Sequence, residues 1–217
     1  MALSFRTHLE NYWKKLEAET TKAAKNILSN QDIKRARQLS SKLSDSKVKH
    51  PKIIKLIEIV KKEVSENPSA KIIVFATYRD TVAEIARELN LEGIKSKRFV
   101  GQADRQDKGQ NQVEQQSIID SYKNHEFNVL VASSVAEEGL DLPEVAAVIF
   151  YEPTPSELRK IQRAGRTART KPGKVIFLMA KKTRDEAYYW SSLRKEKLMK
   201  NILLNIKAKK EKQVKLV

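Results

Sequence analysis

The sequence predicts a doubly wound parallel α/β domain, and two observations carry that expectation. Five short, largely apolar runs recur: KIIVFA at 71–76, KRFV at 97–100, FNVLVAS at 127–133, AAVIFYE at 146–152 and KVIFLMA at 174–180. Continuous rather than alternating apolar character marks strands buried on both faces, and most of the runs are separated by helix-length segments, the crossover that parallel neighbours require. At 217 residues the chain has room for one such domain with helical additions, not for two.

The elements follow in order. Residues 2 to about 47 contain no glycine or proline and read as helical, with Leu9, Trp13, Leu16, Ala23, Ile27 and Leu28 able to share a stripe. Asn30 and Asp32 interrupt it, and Ile33, Ala36, Leu39 and Leu43 resume it in a second helix. So sparse a stripe is expected to pack on something outside the chain. Pro51 opens a third helix whose Ile53, Ile54, Ile57, Val60 and Val64 face inward, and Asn67-Pro68 closes it. Beyond the first strand, Asp80 or Thr81 can cap a helix burying Val82, Ile85, Ala86 and Leu89; a further helix over Val113–Tyr122 buries Ile118, Ile119 and Tyr122. Gly101–Gln112 between them reads as a mobile surface loop. After Ala180 a long helical tail begins. From Arg194 onward it holds nine Lys or Arg against two Glu, which fits either a solvated terminus or a nucleic-acid or linker segment.

Composition narrows the partner. A formal net charge of +16 favours a polyanion, nucleic acid first. With no cysteine there are no disulfides, thiolate zinc sites or cysteine nucleophiles, and His8, His50 and His125 are too scattered to suggest a metal. No apolar run approaches the roughly 20 residues of a membrane helix, and the N-terminus lacks a signal-peptide core, so the chain is expected to be soluble, cytoplasmic and without a membrane partner.

In a parallel sheet the loops after the strand C-termini share one rim, and sites form there. Chemistry concentrates in TPSELRKIQRAGRTART at 154–170, where a capping-box spacing and Pro155 start a helix that Gly165 can end. Gln162, Arg163, Arg166 and Arg169 cluster around that end. Planar guanidinium forks suit phosphate oxygens, here those of an ATP site; a solvated basic patch is the alternative. At 129–145 a strand ends in Ser133 and Ser134, whose hydroxyls suit phosphate, followed by Gly139 and by Asp141, whose carboxylate suits a ribose; an ordinary capped strand-to-helix turn accounts for them equally. Glu137 and Glu138 are adjacent and diverge on a helix, which excludes a paired-carboxylate dyad. The chain's one Gly-Lys pair, Gly173-Lys174, opens a strand, so no phosphate-cradling G-x-x-x-x-G-K-[ST] loop is present. Asp185-Glu186-Ala187 resembles an ATPase acidic box but lies beyond the last strand, where a solvated helix start explains it better.

In order and spacing, VFATYR at 74–79, VASSVAEEGLD at 131–141 and QRAGRTAR at 162–169 resemble motifs IV, V and VI of the second RecA-like domain of superfamily 2 helicases. RFVGQA, the Gln112/Glu114/Gln115 helix start, FYEPTPS and TRDEAYYWSSLRKEK narrow the resemblance, over roughly residues 50–200, to the archaeal Hef proteins and the Fanconi-anaemia M-type helicases.

That resemblance implies residues 1–47 as the end of an interdomain helical insertion, 48–187 as the RecA-like helicase C-terminal domain, and 188–217 as a basic helical tail. It implies an ATP-dependent DNA motor acting on branched or single-stranded DNA, whose ATP and Mg²⁺ are held mainly by a first RecA-like domain that this chain lacks. The chain alone would bind no cofactor and be inactive. Arg166 and Arg169 would be arginine fingers, Gln162 would lie near the γ-phosphate or attacking water, and Arg163 would bind across the cleft at the ATP site. Gly139 and Asp141 would sit near the nucleic-acid backbone and the nucleotide ribose in the turn that approaches ATP. Tyr78, Arg79, Gly101, Ser133 and Ser134 would contact nucleic-acid phosphates. Ser133 stands where threonine is usual, and Ala168 where glycine is common. An RNA helicase motor and a non-catalytic nucleic-acid module remain the alternatives.

Overall fold

The computed structural model describes residues 12–45, 49–101, 110–133, 142–154 and 173–214. Its centre is a parallel sheet of five strands: β1 (Ile72–Phe75), β2 (Ser96–Phe99), β3 (Val129–Ala132), β4 (Ala147–Phe150) and β5 (Lys174–Phe177), in the order β2-β3-β1-β4-β5. The strands β1, β3 and β4 are buried along their whole length, which is why their sequences are uninterruptedly apolar.

Seven helical segments are described. Residues 12–18 form α1, followed by α2 (Lys22–Ser29), α3 (Gln31–Asp45), α4 (Pro51–Glu66), α5 (Arg79–Leu91), α6 (Gln112–Lys123) and α7 (Arg184–Val214). The chain leaves β1 for the β2 edge and then turns back to β3. Right-handed crossovers in opposite directions put α5 and α6 on opposite faces. Alternation along β1 divides the core accordingly: Ile72 and Val74 pack with Ile53, Leu56 and Val60 of α4 and Val82, Ile85 and Leu89 of α5. Ile73 and Phe75 pack with Ile119 and Tyr122 of α6. The Tyr122 hydroxyl, buried with its ring, donates to the Ile72 carbonyl at 3.0 Å.

The structure corrects four local expectations. In α4, Ile54 is half exposed and Leu56 is buried instead, because Leu56 lies three residues from Ile53 on the same face whereas Ile54 is about 100° away. An additional break at 19–21 separates α1 from α2, where the Thr21 hydroxyl accepts the Ala24 N–H at 3.2 Å. Trp13, Leu16, Ala24, Leu28 and Ile33 consequently pack on one another, while Ala23, Ile27, Ala36 and Leu39 are exposed. The α5 helix begins at Arg79, so its N-cap is Tyr78 rather than Asp80 or Thr81, and no side chain caps it. Finally, Gln110 is buried, which closes the base of the Gly101–Gln112 stretch; residues 102–109 lie outside the described residues.

The outer edge of β2 is closed by side-chain amides. Asn90 accepts the Ser96 N–H at 2.9 Å and donates to the Ser96 carbonyl at 3.0 Å. Gln110 accepts the Val100 N–H at 2.8 Å and donates to the Arg98 carbonyl at 3.0 Å, and Gln115 donates to the Val100 carbonyl at 3.0 Å. Gly93, at φ 79°, supplies the left-handed turn that ends α5 and lets Asn90 reach β2.

On the opposite side an aromatic ladder ties the tail helix to the sheet. Phe150 and Phe177, paired in register, stack at 4.5 Å, and Phe177 meets Tyr189 of α7 edge-on at 5.3 Å. The helix α7 is continuous through residues 187–188 and, at 31 residues, is about 46 Å long. Among the described residues no helix is long and apolar enough to cross a membrane.

Candidate nucleotide and nucleic-acid site

All five strands point the same way, so their C-termini form one rim. The ladder runs one residue past the strands: Ala76 N–H donates to the Ala132 carbonyl at 3.0 Å, Ser133 N–H to Phe99 at 3.0 Å, and Tyr151 N–H to Phe75 at 2.9 Å. These bonds bring Ala76, Ser133 and Tyr151 level at the mouth of three adjacent strands, with Thr77 and Glu152 one residue beyond. Parallel pairing, read from sequence as buried apolar runs, is therefore what collects the rim residues.

Four of the expected site residues are described, and all four lie on this rim. Tyr78 is 53 % exposed and Arg79 opens α5. Gly101 follows β2, and its carbonyl accepts the Gln110 N–H at 3.2 Å. Ser133 is 6 % exposed and lies in the floor of the rim. Ser134, Gly139, Asp141, Gln162, Arg163, Arg166 and Arg169 lie outside the described residues. Their segments leave the described chain at Ser133 and Thr154, after β3 and β4.

Two residues to which sequence reasoning assigned no role hold the rim together. The Glu152 carboxylate accepts the Thr77 N–H at 2.7 Å, linking the turn after β1 to the end of β4. Its signal was a lone carboxylate directly behind a fully buried strand. Gln110 anchors the other end through the contacts above, and nothing in the sequence distinguishes it from its polar neighbours.

Beneath the rim, burial above all pushes the Tyr151 hydroxyl well above the ordinary tyrosine range, with the Glu152, Glu84 and Asp185 carboxylates adding to it. Tyr151 therefore stays neutral. Asp185 is not a solvated helix start: its carboxylate pairs with the Lys52 ammonium and accepts the Ala180 N–H at 3.0 Å. It is thereby committed to structure. Among the described residues no group of three His, Asp or Glu side chains could hold a metal ion. The described rim side chains include the Tyr78 hydroxyl and the Arg79 guanidinium, groups of a kind suited to phosphate oxygens.

The description of the helicase conserved C-terminal domain matches residues 51–171. The chain is 48 % identical over 196 residues to a candidate ATP-dependent RNA helicase of Methanocaldococcus jannaschii, covering 90 % of this chain and 25 % of that protein. It is 34 % identical over 208 residues to the ATP-dependent DNA helicase MPH1 of Pyricularia oryzae, covering 92 % of this chain and 18 % of that one. The crystal structure of the Pyrococcus furiosus Hef helicase domain superimposes with a TM-score of 0.68 at 50 % identity, over 86 % of this chain and 38 % of that chain. The chain thus spans a quarter or less of the length of these two relatives. With a RecA-like five-stranded sheet, the matched family description and 50 % identity to the Hef helicase domain over the aligned residues, the chain belongs to the helicase conserved C-terminal domain family, closely related to the Hef and MPH1 helicases.

Proposed function

We propose that this chain is the second motor domain of an ATP-dependent superfamily 2 helicase or translocase acting on branched DNA. The observation that carries the proposal is the shared rim. Tyr78, Arg79, Gly101 and Ser133 stand at the ends of three neighbouring strands, and the segment bearing Gln162, Arg163, Arg166 and Arg169 departs from the fourth. One face thus grips a nucleic-acid backbone while arginines beside it serve a nucleotide.

The chemistry divides between two domains. ATP with Mg²⁺ needs a phosphate-cradling loop and metal-holding carboxylates; the sequence lacks the first, and among the described residues no group of three His, Asp or Glu side chains could hold a metal ion. The donor set here is cationic, which fits the phosphate oxygens of a nucleotide held by a first RecA-like domain. Arg166 and Arg169 neutralise charge developing on the γ-phosphoryl oxygens, a contribution of roughly 10³–10⁵ in rate in other NTPases. Gln162 orients the attacking water, Arg163 reaches the nucleotide across the cleft, and Gly139 and Asp141 approach the backbone and the ribose. Tyr78, Arg79, Gly101, Ser133 and Ser134 hold the phosphates of one strand. DNA is favoured over RNA by the Hef and MPH1 similarity; the M. jannaschii relative, named as a candidate RNA helicase, is why an RNA motor is the second reading.

The test uses a polypeptide carrying both motor domains. Arg166→Ala there abolishes ATP hydrolysis and leaves DNA affinity nearly intact. If affinity and its salt slope fall together instead, the arginines grip backbone and the chain is a binding module. The 217-residue chain alone shows no ATPase.

A further inference from the structure

Glu152 is an acidic side chain on a rim otherwise suited to a polyanion, and its bonding explains why it is there. The parallel register sets Phe75 beside Phe150, and the Tyr151 N–H donates to the Phe75 carbonyl. Continuing that ladder would send the Thr77 N–H to the Tyr151 carbonyl. That oxygen is already engaged, accepting from the Lys52 ammonium at 3.0 Å. The Thr77 N–H turns to the Glu152 carboxylate at 2.7 Å instead. One residue on, Tyr78 leaves the sheet, its carbonyl accepting the Val82 N–H at 3.0 Å to start α5. The turn presenting Tyr78 and Arg79 is thus hung from Glu152 rather than from the strand.

We infer that Glu152 is a positioning residue for nucleic-acid binding: its carboxylate fixes the Thr77–Arg79 turn so that Tyr78 and Arg79 meet backbone phosphates. This rests on the reading of the rim as a nucleic-acid surface. The chemistry gives the inference a sign of its own. Charge alone makes Glu152 repel a polyanion, so removing it should tighten binding. Positioning makes the opposite demand, because a charge-assisted bond to a backbone N–H holds the turn before the ligand arrives.

The experiment titrates a fluorescent oligothymidylate with the 217-residue chain, wild type, Glu152→Ala and Glu152→Gln, following anisotropy, with amide hydrogen exchange of the 76–80 segment measured on the free proteins. Gln keeps an acceptor oxygen and loses the charge; Ala loses both. The expected result is binding about 3- to 10-fold weaker for Glu152→Ala, the scale of one preorganising hydrogen bond, binding at least as tight as wild type for Glu152→Gln, and faster exchange at Thr77 in the Ala variant only. Glu152→Ala binding as tightly as or more tightly than wild type overturns the role of Glu152 while leaving the rim reading in place. Unchanged Thr77 exchange in Glu152→Ala overturns it equally. A wild-type chain that does not bind the oligonucleotide overturns the rim reading, and this inference with it.

Discussion

Lys52 and Asp185, 133 positions apart in the chain, form an ion pair that joins the first turn of α4 to the first turn of α7. Neither side chain is more than about a fifth exposed. The same ammonium donates to the Tyr151 carbonyl and lies 5.4 Å from the centre of the Tyr151 ring. Through Tyr151 the pair touches the segment that leads from β4 to Glu152. A helix preceding the sheet, a helix following it and the rim are therefore tied at one cation.

Replacing Lys52 by Met leaves the little-exposed Asp185 carboxylate without its cation and the Tyr151 carbonyl without that donor. The expected cost is about 2–3 kcal/mol in a urea melt, since losing one partner of a shielded pair costs more than the pair is worth. Combining it with Asp185→Leu should cost clearly less than the sum of the single variants. Additivity would mean that the two side chains do not interact.

His50 makes the same region sensitive to acid. It caps α4 with Nδ1, which accepts the Lys52 N–H at 3.1 Å and so requires an unprotonated nitrogen. Burial, with the nearby Lys52 charge adding to it, lowers the imidazole below its ordinary value of 6.5. The unfolded chain then binds the proton more readily, so this cap's stability is complete above about pH 6.5 and is lost as pH falls through the lowered folded value. Thermal melts should decline from pH 7 to pH 5, and His50→Asn, which keeps an acceptor but does not titrate, should flatten that decline. An unaltered slope would place the acid sensitivity elsewhere.

How much of this was legible beforehand follows the range of the interaction. The five strands, the burial of Val82, Ile85 and Leu89, and the Pro51 and Asn67 ends of α4 depend on local periodicity and punctuation, and the sequence carries these openly. The rim was legible too, because parallel strands must gather their C-termini. What was not legible depends on distant partners. Asp185 looks like any helix-start acid until Lys52 stands beside it, and Glu152 looks like a surface residue until the register gives it the Thr77 N–H. The independent packing of Trp13, Leu16 and Ala24 was missed because a break at 19–21, marked only by Thr21, lets the helices fold back on each other.

The end of α6 holds a correctable strain. His125, following the Asn124 C-cap, adopts φ 59°, the left-handed region that glycine occupies without a Cβ penalty. Its side chain is exposed and distant from the rim in the fold's topology, at the N-terminal approach to β3. His125→Gly should raise stability by about 0.5–1 kcal/mol, the relief of that conformation less the entropy glycine loses. A lower denaturation midpoint would indicate that the imidazole makes a contact worth more than the strain.

The β2 edge gives the last prediction, because it carries both solubility and the site. Unpaired edge groups template association with other chains, and here Asn90 and Gln110 occupy four of them with amides that mimic a neighbouring strand. Asn90→Ala frees the Ser96 N–H and carbonyl, Gln110→Ala frees the Val100 N–H and the Arg98 carbonyl, and each should cost about 1–2 kcal/mol. Both should increase self-association in sedimentation velocity, since either reopens the edge. They should differ in nucleic-acid binding: the Gln110 side chain holds the Val100 N–H, directly before Gly101 at the rim, whereas Asn90 acts at the opposite end of β2. Gln110→Ala should therefore weaken oligonucleotide binding and Asn90→Ala should leave it unchanged, so equal losses in the two variants would mean that edge association, not the base of the Gly101 loop, governs binding.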